Sequence, residues 1–160
     1  MPGILLRPME MADLPAVCAL HDLAFASSSY DPAQAAAHAS LVAAPDYADD
    51  LRSSDLWLAV RDGRVLGSAG WLSQPDGAAR IRKVFVHPDA ARQGLATRLV
   101  QAAERRASAK GHARFVLRAY RDAVPLYERL GYAADRAGEM PLPGGVALPV
   151  LFMRKDRAGH

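Results

Sequence analysis

The sequence predicts an α/β protein built around a mixed sheet that carries helices on its faces. Three observations lead to this fold class: the order of strand-like and helix-like segments, a tight-turn signal between two apolar segments, and a length that suits one domain. The chain has 160 residues, of which 51% are hydrophobic, enough to bury a core without disulfides or metal ions. We find no internal repeat or linker-like stretch, and we expect a single domain over residues 1–160.

The first part of the chain predicts a strand, two helices and a connecting segment. Apolar residues favour a strand over residues 4–7, and Asp13 is a suitable N-cap for the helix that follows. That helix is indicated by side chains at helical spacing, namely Leu14, Val17, Cys18, His21 and Phe25. The alanine-rich segment 33–44 predicts a second helix. Residues 45–54 are expected to form a loop or a short helical turn.

The rest of the chain predicts a hairpin and then alternating strands and helices. Asp62-Gly63 stands between two apolar segments, and this pair is a strong signal for a tight hairpin turn. The remaining strands are expected over residues 56–60, 65–72, 79–87 and 113–119, and on both sides of 141–145. Two further helices are expected, a long one over 92–110 and a shorter one that begins at Asp122 as its N-cap. The resulting order is β-α-α-β-β-β-α-β-α-β-β.

The charge balance does not indicate a nucleic-acid partner. The 20 lysines and arginines exceed the 17 aspartates and glutamates by three. This excess is compatible with an anionic ligand, but it is too small to imply a nucleic-acid partner, and no stacking aromatic residues interleave the arginines, such as Arg105-Arg106. We therefore expect no nucleic-acid partner.

Several residue types argue against a metal site, a disulfide or a membrane segment. Cys18 is the only cysteine, which excludes an intrachain disulfide and suits a reducing compartment. After Met1-Pro2-Gly3 the apolar run covers only residues 4–6, too short for a signal peptide, and no stretch approaches the length of a membrane span. The histidines never stand one helical turn apart as paired ligands do: His21, His38, His87, His112 and His160. We expect a cytoplasmic protein with neither a metal nor a membrane partner.

The segment 84–97 carries the first motif, a strand that passes through a proline turn into a long helix. The first N–H groups of a helix have no internal acceptor and lie at the positive end of the helix dipole, so such a turn suits a phosphate or a pyrophosphate. Gly94 permits close approach of a ligand to the backbone, and the small Ala96 keeps the helix start open. An ordinary strand-to-helix connection remains an alternative at this point.

A second motif follows the fifth predicted strand, in a short helix that ends at Gly131-Tyr132. Its pattern is Ala123-x-x-Leu126-Tyr127-Glu128-x-Leu130-Gly131-Tyr132. The two motifs at this separation resemble the GNAT superfamily of N-acetyltransferases. The positions that match its signatures are Gly94, Ala96, Ala123, Leu126, Tyr127, Gly131 and Tyr132. Two positions depart from the family pattern, because Ala91 replaces a basic or amide residue and Tyr120 replaces an asparagine.

The resemblance implies a mostly antiparallel sheet of six to seven strands with about four helices on its faces. It also implies acetyl-coenzyme A as co-substrate and a primary amine as acceptor, whose identity the sequence does not reveal. The cofactor-binding residues implied are Val84, Phe85, Val86, Ala91, Arg92, Gln93, Gly94, Leu95, Ala96 and Thr97. The strand backbone at 84–86 would lie beside the pantetheine arm, where the sheet splays to admit it. Families of this kind commonly form homodimers, although the sequence itself carries no oligomer signal.

Tyr127 is the expected catalytic residue. Acyl transfer releases a thiolate, and a phenol is a competent proton donor to it. A packed helix tyrosine is the alternative explanation, and the family pattern favours the catalytic one. A non-catalytic coenzyme A sensor or accessory protein is the competing function.

The general base and the acceptor groove are less defined. Four candidates for the base are a water chain, His87, Tyr30 and Asp22, because strand 79–87 offers no carboxylate. By the period of two, Arg80, Arg82, Val84 and Val86 are expected on one face of that strand. Arg82 would then face the acceptor groove and favour an acidic substrate, although a solvated edge arginine is the alternative.

Overall fold

A computed structural model of the chain describes residues 3–156, and Met1, Pro2 and His160, named above, lie outside the described residues. Its central feature is a seven-stranded sheet in the order β1-β2-β3-β4-β5-β7-β6. The strands are β1 (Leu5–Pro8), β2 (Trp57–Arg61), β3 (Arg64–Ser73), β4 (Ala79–Val86), β5 (Arg114–Ala119), β6 (Ala133–Leu142) and β7 (Val146–Asp156). Neighbouring strands are antiparallel except for β4 and β5, which run parallel.

Five α-helices cover the two faces of this sheet. They are α1 (Leu14–Ala26), α2 (Pro32–Ala43), α3 (Tyr47–Arg52), α4 (Leu95–Ala109) and α5 (Val124–Arg129). On one face α1 to α3 bury Val17, Leu20 and Leu51, and on the opposite face α4 and α5 bury Leu99 and Tyr127. Within residues 3–156, no helix is long and apolar enough to cross a membrane.

Two helices begin later than the sequence pattern suggests. The helix expected from Arg92 begins at Leu95, because Arg92 (φ 62°) and Gly94 (φ 76°) have left-handed backbones that an α-helix does not accept. The expectation that Asp122 caps α5 is wrong, since α5 begins at Val124. The Asp122 carboxylate instead accepts hydrogen bonds from the N–H and the hydroxyl of Ser29.

The structure also refines two other expectations, at Asp13 and in the segment 45–54. Asp13 does stand at the N-cap position of α1, but its carboxylate binds the Arg7 guanidinium and the N–H of Glu10 rather than the first turn of α1. The segment 45–54, expected as a loop or short turn, contains α3, whose buried Tyr47 and Leu51 anchor it to the sheet.

The parallel strands β4 and β5 part after a short region of pairing. They pair only at Ala79 with Phe115 and at Arg80 with Val116. Both strands continue beyond this point, β4 to Val86 and β5 to Ala119. The two strands therefore leave a gap in the middle of the sheet, at their carboxyl ends, where ligands commonly bind in open α/β sheets.

Candidate functional site

A cavity of about 90 Å³ lies at the gap between β4 and β5, and we call it the β4–β5 cavity. Tyr127 of α5 and His38 of α2 reach it from the two faces of the sheet, and Val84 lines it between them. Four cationic side chains also line it, namely Arg80, Arg82, Lys83 and Arg118. The cavity therefore joins a phenol, a strand backbone and a concentration of positive charge.

A β-bulge at Lys83 shapes the wall of the cavity. Ser68 pairs with Phe85 and Gly70 with Arg82, so that Lys83 and Val84 together stand opposite Ala69. Lys83 has a φ of 58°, a left-handed backbone that a lysine adopts only when its surroundings enforce it.

The bulge corrects one expectation from the sequence. Arg82 and Lys83 both turn toward α3, where they bind Asp50, whereas Val84 and Val86 pack on the opposite face with the α4 residue Leu95. The prediction that Arg80, Arg82, Val84 and Val86 share one face is wrong, because the extra residue at the bulge reverses the alternation.

A buried hydrogen-bond chain holds the bulge. The Ser68 hydroxyl donates to the Lys83 carbonyl at 2.7 Å and therefore accepts from Nε2–H of His21 at 2.9 Å. Since burial and the nearby Lys83 lower the pKa of His21, its imidazole is neutral and Nδ1 is an acceptor. The Tyr47 hydroxyl donates to that Nδ1 at 2.7 Å. The three side chains thus form one directional chain that ends on the carbonyl of the bulge.

Tyr127 is a buried residue that lines the β4–β5 cavity. It is 5% exposed, and its ring packs edge-on against Tyr132 with 5.8 Å between ring centroids. Its hydroxyl has no hydrogen-bond partner among residues 3–156. Burial, together with the nearby Tyr120, raises the pKa of Tyr127. The phenol is therefore protonated at neutral pH and free to donate into the cavity.

The segment that leads into α4 presents a row of free backbone N–H groups. A 3-10 turn over Pro88–Ala90 follows β4, and the left-handed residues Arg92 and Gly94 then reverse the chain. None of the N–H groups of residues 92–97 has an acceptor within the described part of the chain. A Cβ built on Gly94 meets no atom within 4 Å, so the space beside it is open. Such a row at a helix N-terminus suits a phosphate group.

The predicted cofactor-binding residues divide between these two places. Val84 and Phe85 both line the β4–β5 cavity, and the buried Phe85 also stacks on His21, with 4.2 Å between the ring centroids. Ala91 differs from its successors, because its N–H already donates to the Pro88 carbonyl. The Leu95 side chain is buried in the core, so this residue offers only its N–H to a ligand.

The three side chains considered as a general base do not line the cavity. His87 accepts the N–H of Asp89, and the Tyr30 hydroxyl donates to the Pro149 carbonyl while accepting from the N–H of Arg121. Burial raises the pKa of Asp22.

Sequence reasoning missed several residues of the cavity, including His38, Tyr120 and Arg118. His38 is 2% exposed and stacks on Phe25 at 4.0 Å, and burial and Lys83 lower its pKa to about 4. No motif marks His38 in its alanine-rich helix. Arg118 had a signal, since it alternates with apolar residues along a strand next to β4, but only the pairing of β5 shows where it points.

The sequence of the chain is similar to a known protein family and to one of its relatives. A family model described as the acetyltransferase (GNAT) family matches residues 17–132. The uncharacterized N-acetyltransferase YjcF of Bacillus subtilis is 30% identical over 115 residues, which are 72% of this chain and 80% of that relative.

Two solved structures have a similar fold. The GCN5-related N-acetyltransferase from Rhodopseudomonas palustris, also described as an aminotransferase of class II, has a TM-score of 0.88 at 26% identity and covers 98% of this chain and 97% of its own. The PaiA N-acetyltransferase from Thermoplasma acidophilum, in complex with coenzyme A, has a TM-score of 0.72 at 14% identity and covers 96% of this chain and 98% of its own.

Proposed function

Since the chain belongs to the acetyltransferase (GNAT) family, we propose that it transfers an acetyl group from acetyl-coenzyme A to a primary amine by direct attack. The observation that carries this proposal is the place of Tyr127 in the lining of the cavity beside the parted strands β4 and β5, with a hydroxyl that has no hydrogen-bond partner among residues 3–156. Coenzyme A in the complex of the PaiA neighbour supports the choice of acyl donor.

The two parts of the site match the two parts of coenzyme A. The free N–H groups of residues 92–97 bind the pyrophosphate, because the helix dipole and the open space at Gly94 favour an anion there. The pantetheine arm lies along β4 at residues 84–86, where the loss of pairing to β5 leaves backbone groups that suit its amides. The thioester then reaches the β4–β5 cavity beside Tyr127.

The chemistry requires the amine to lose two protons and the thiolate to gain one. The neutral amine nitrogen attacks the thioester carbon, the C–S bond breaks, and the departing thiolate takes the proton of the Tyr127 hydroxyl. The nitrogen releases its second proton as the amide forms, and a proton from solvent restores the Tyr127 phenol. Before attack an ammonium must lose a proton to solvent, and the cations around the cavity favour its neutral form. The site thus lowers the need for a strong base, which agrees with the absence of a carboxylate on β4 among residues 79–86.

The proposal is tested by following thiol release from acetyl-coenzyme A with a panel of amines, amino acids and peptides, and by identifying the acetylated product by mass spectrometry. We expect thiol release that depends on one class of amine, and a rise in the unfolding temperature with acetyl-coenzyme A alone. No stabilisation at millimolar acetyl-coenzyme A would contradict the assignment of the acyl donor.

A further inference from the structure

Arg80 and Arg118 lie on neighbouring strands and line the same cavity as Tyr127. We infer that these two guanidinium groups bind an oxyanion, a carboxylate or a phosphate, of the amine acceptor. The inference rests on the proposed function, since it assigns the acceptor class of that same site.

The pairing of β4 with β5 brings the two arginines together. Arg80 stands opposite Val116 in the parallel pair, and Arg118 follows Val116 by two residues. Because side chains alternate along a strand, Val116 and Arg118 point to the same face of the sheet. Phe152 of β7 stands opposite Arg118 and supports it, with the guanidinium 5.7 Å from the ring centroid. Both guanidiniums thus belong to one wall of the cavity.

The other two cations of the cavity already have a partner. Arg82 binds both oxygens of Asp50 at 2.8 and 2.7 Å, and the Lys83 ammonium lies 2.9 Å from the same carboxylate. No carboxylate of residues 3–156 lies within 4.0 Å of the cationic groups of Arg80 or Arg118. The two arginines are therefore the cations available to a ligand.

Arg80 is held in an unfavourable state without a ligand. Its Nε is buried and, like the Nε of Arg82, has no acceptor among the described residues, but Arg80 has no carboxylate partner either. Burial, Arg118 and Arg82 together lower the pKa of Arg80 to about 10. A bound oxyanion would supply the missing acceptor and relieve the repulsion between the guanidiniums.

The same charges select against other acceptors. A guanidinium pair offers the planar, bidentate donors that match a carboxylate or a phosphate. A diamine or polyamine would add further positive charge to a cavity that already holds four cations against the one carboxylate of Asp50. The acceptor is therefore an amine that also carries an oxyanion, such as an amino acid or a phosphorylated amine.

Turnover of acceptor pairs that differ only in the oxyanion tests the inference. We would compare amino acids with their amides and decarboxylated amines, and O-phosphoethanolamine with ethanolamine, in wild-type protein and in Arg80→Gln and Arg118→Gln. For the anionic acceptors we expect KM to rise about 10- to 100-fold in each variant while kcat changes little. Arg136→Gln is the matched control, because Arg136 also lies over the Phe152 ring, at 4.2 Å, but is outside the cavity lining.

Binding without turnover provides an independent readout. Isothermal titration calorimetry would measure N-acetylated amino acids and their amides on protein saturated with coenzyme A. We expect the acids to bind at least tenfold more tightly than the amides, and this preference to disappear in Arg80→Gln. Without ligand, Arg80→Gln should unfold at a higher temperature than wild type, because a strained cation has been removed.

The outcomes separate the two proposals. Equal binding of acids and amides, or KM values for the anionic acceptors that Arg80→Gln and Arg118→Gln leave unchanged, would overturn the oxyanion site and leave acetyl transfer standing. Acid-selective binding that depends on both arginines would support the oxyanion site even if no amine released thiol. The lack of thiol release would then count against acetyl transfer but not against the oxyanion site. The amino acids compared with their amides report on a carboxylate, and O-phosphoethanolamine compared with ethanolamine reports on a phosphate, so the two comparisons show which oxyanion is bound.

Discussion

The Ser68 hydroxyl donates a 2.7 Å hydrogen bond to the carbonyl of Lys83, the residue whose left-handed backbone forms the bulge in β4. Ser68 is fully buried and also accepts the imidazole N–H of His21. One side chain therefore connects the α1 helix to the strand that borders the β4–β5 cavity. The strained backbone persists because this buried chain of hydrogen bonds enforces it.

Ser68→Ala tests the role of this chain. The substitution leaves the His21 N–H and the Lys83 carbonyl without their partner in a buried place, and we expect a loss of about 1–3 kcal/mol in the free energy of unfolding. Denaturant unfolding measures it. Ser40→Ala is the control, because the exposed Ser40 hydroxyl has just one partner in the described part of the chain, the Ala36 carbonyl of its own helix. An equal effect of the two substitutions would show that the chain does not hold the bulge.

Gly94→Glu tests the proposed phosphate site at the start of α4. The new side chain enters the open space beside Gly94 and places negative charge where the pyrophosphate would lie, so we expect acetyl-coenzyme A no longer to raise the unfolding temperature. Gly77→Glu is the matched control, since Gly77 also has a positive φ (89°) and open space, in the turn before β4. If Gly94→Glu retains the ligand-induced shift, the cofactor binds elsewhere.

Asp50→Asn tests the ion pairs beside the cavity. Asp50 is the partner of Arg82 and Lys83, whose side chains are 9% and 14% exposed, but Asp50 itself is 41% exposed and its ion pairs are partly screened by solvent, so we expect a loss of about 1 kcal/mol at neutral pH. Asp49→Asn is the control, because Asp49 is 71% exposed and, among residues 3–156, pairs only with Arg52. Thermal or denaturant unfolding of the two variants gives the comparison.

The pH dependence of the Asp50→Asn effect has a defined sign. Burial raises the pKa of Asp50, and hydrogen bonds from Arg82 and Lys83 more than offset this, so the folded pKa lies below its usual value. The stabilisation is therefore present in full above about pH 4 and is lost as the pH falls through the folded pKa. We expect the stability difference between wild type and Asp50→Asn to shrink below about pH 4. A constant difference down to pH 2 would contradict the ion-pair account.

Much of the fold and part of the site followed from the sequence. Period-two and helical spacing predicted the strands and most helices, and the motifs around Gly94 and Tyr127 predicted the family, which the matching family model and the relative YjcF confirm. The mixed, mostly antiparallel sheet was also confirmed, with β4 and β5 as its parallel pair. These features are encoded locally, in windows of a few residues.

The missed features depend on contacts between distant segments. The bulge at Lys83 arises from Ser68 and His21, which lie 15 and 62 residues away, and no local pattern reveals it. The approach of Arg80 and Arg118 depends on the pairing of two strands separated by α4. In the sequence, His38 is a polar residue within an alanine-rich helix, and only the fold shows that it is buried against Phe25.

The central claim is that Tyr127 protonates the departing thiolate, and kcat of Tyr127→Phe tests it most directly. Because the hydroxyl has no partner within residues 3–156, the phenyl ring keeps the packing against Tyr132, and we expect fold and acetyl-coenzyme A affinity to be preserved. With the most active amine of the panel, kcat should fall about 10²-fold or more. Tyr120→Phe removes the other phenol of the cavity and should cost no more than a few-fold. Full kcat in Tyr127→Phe would contradict the assignment of Tyr127 as the general acid.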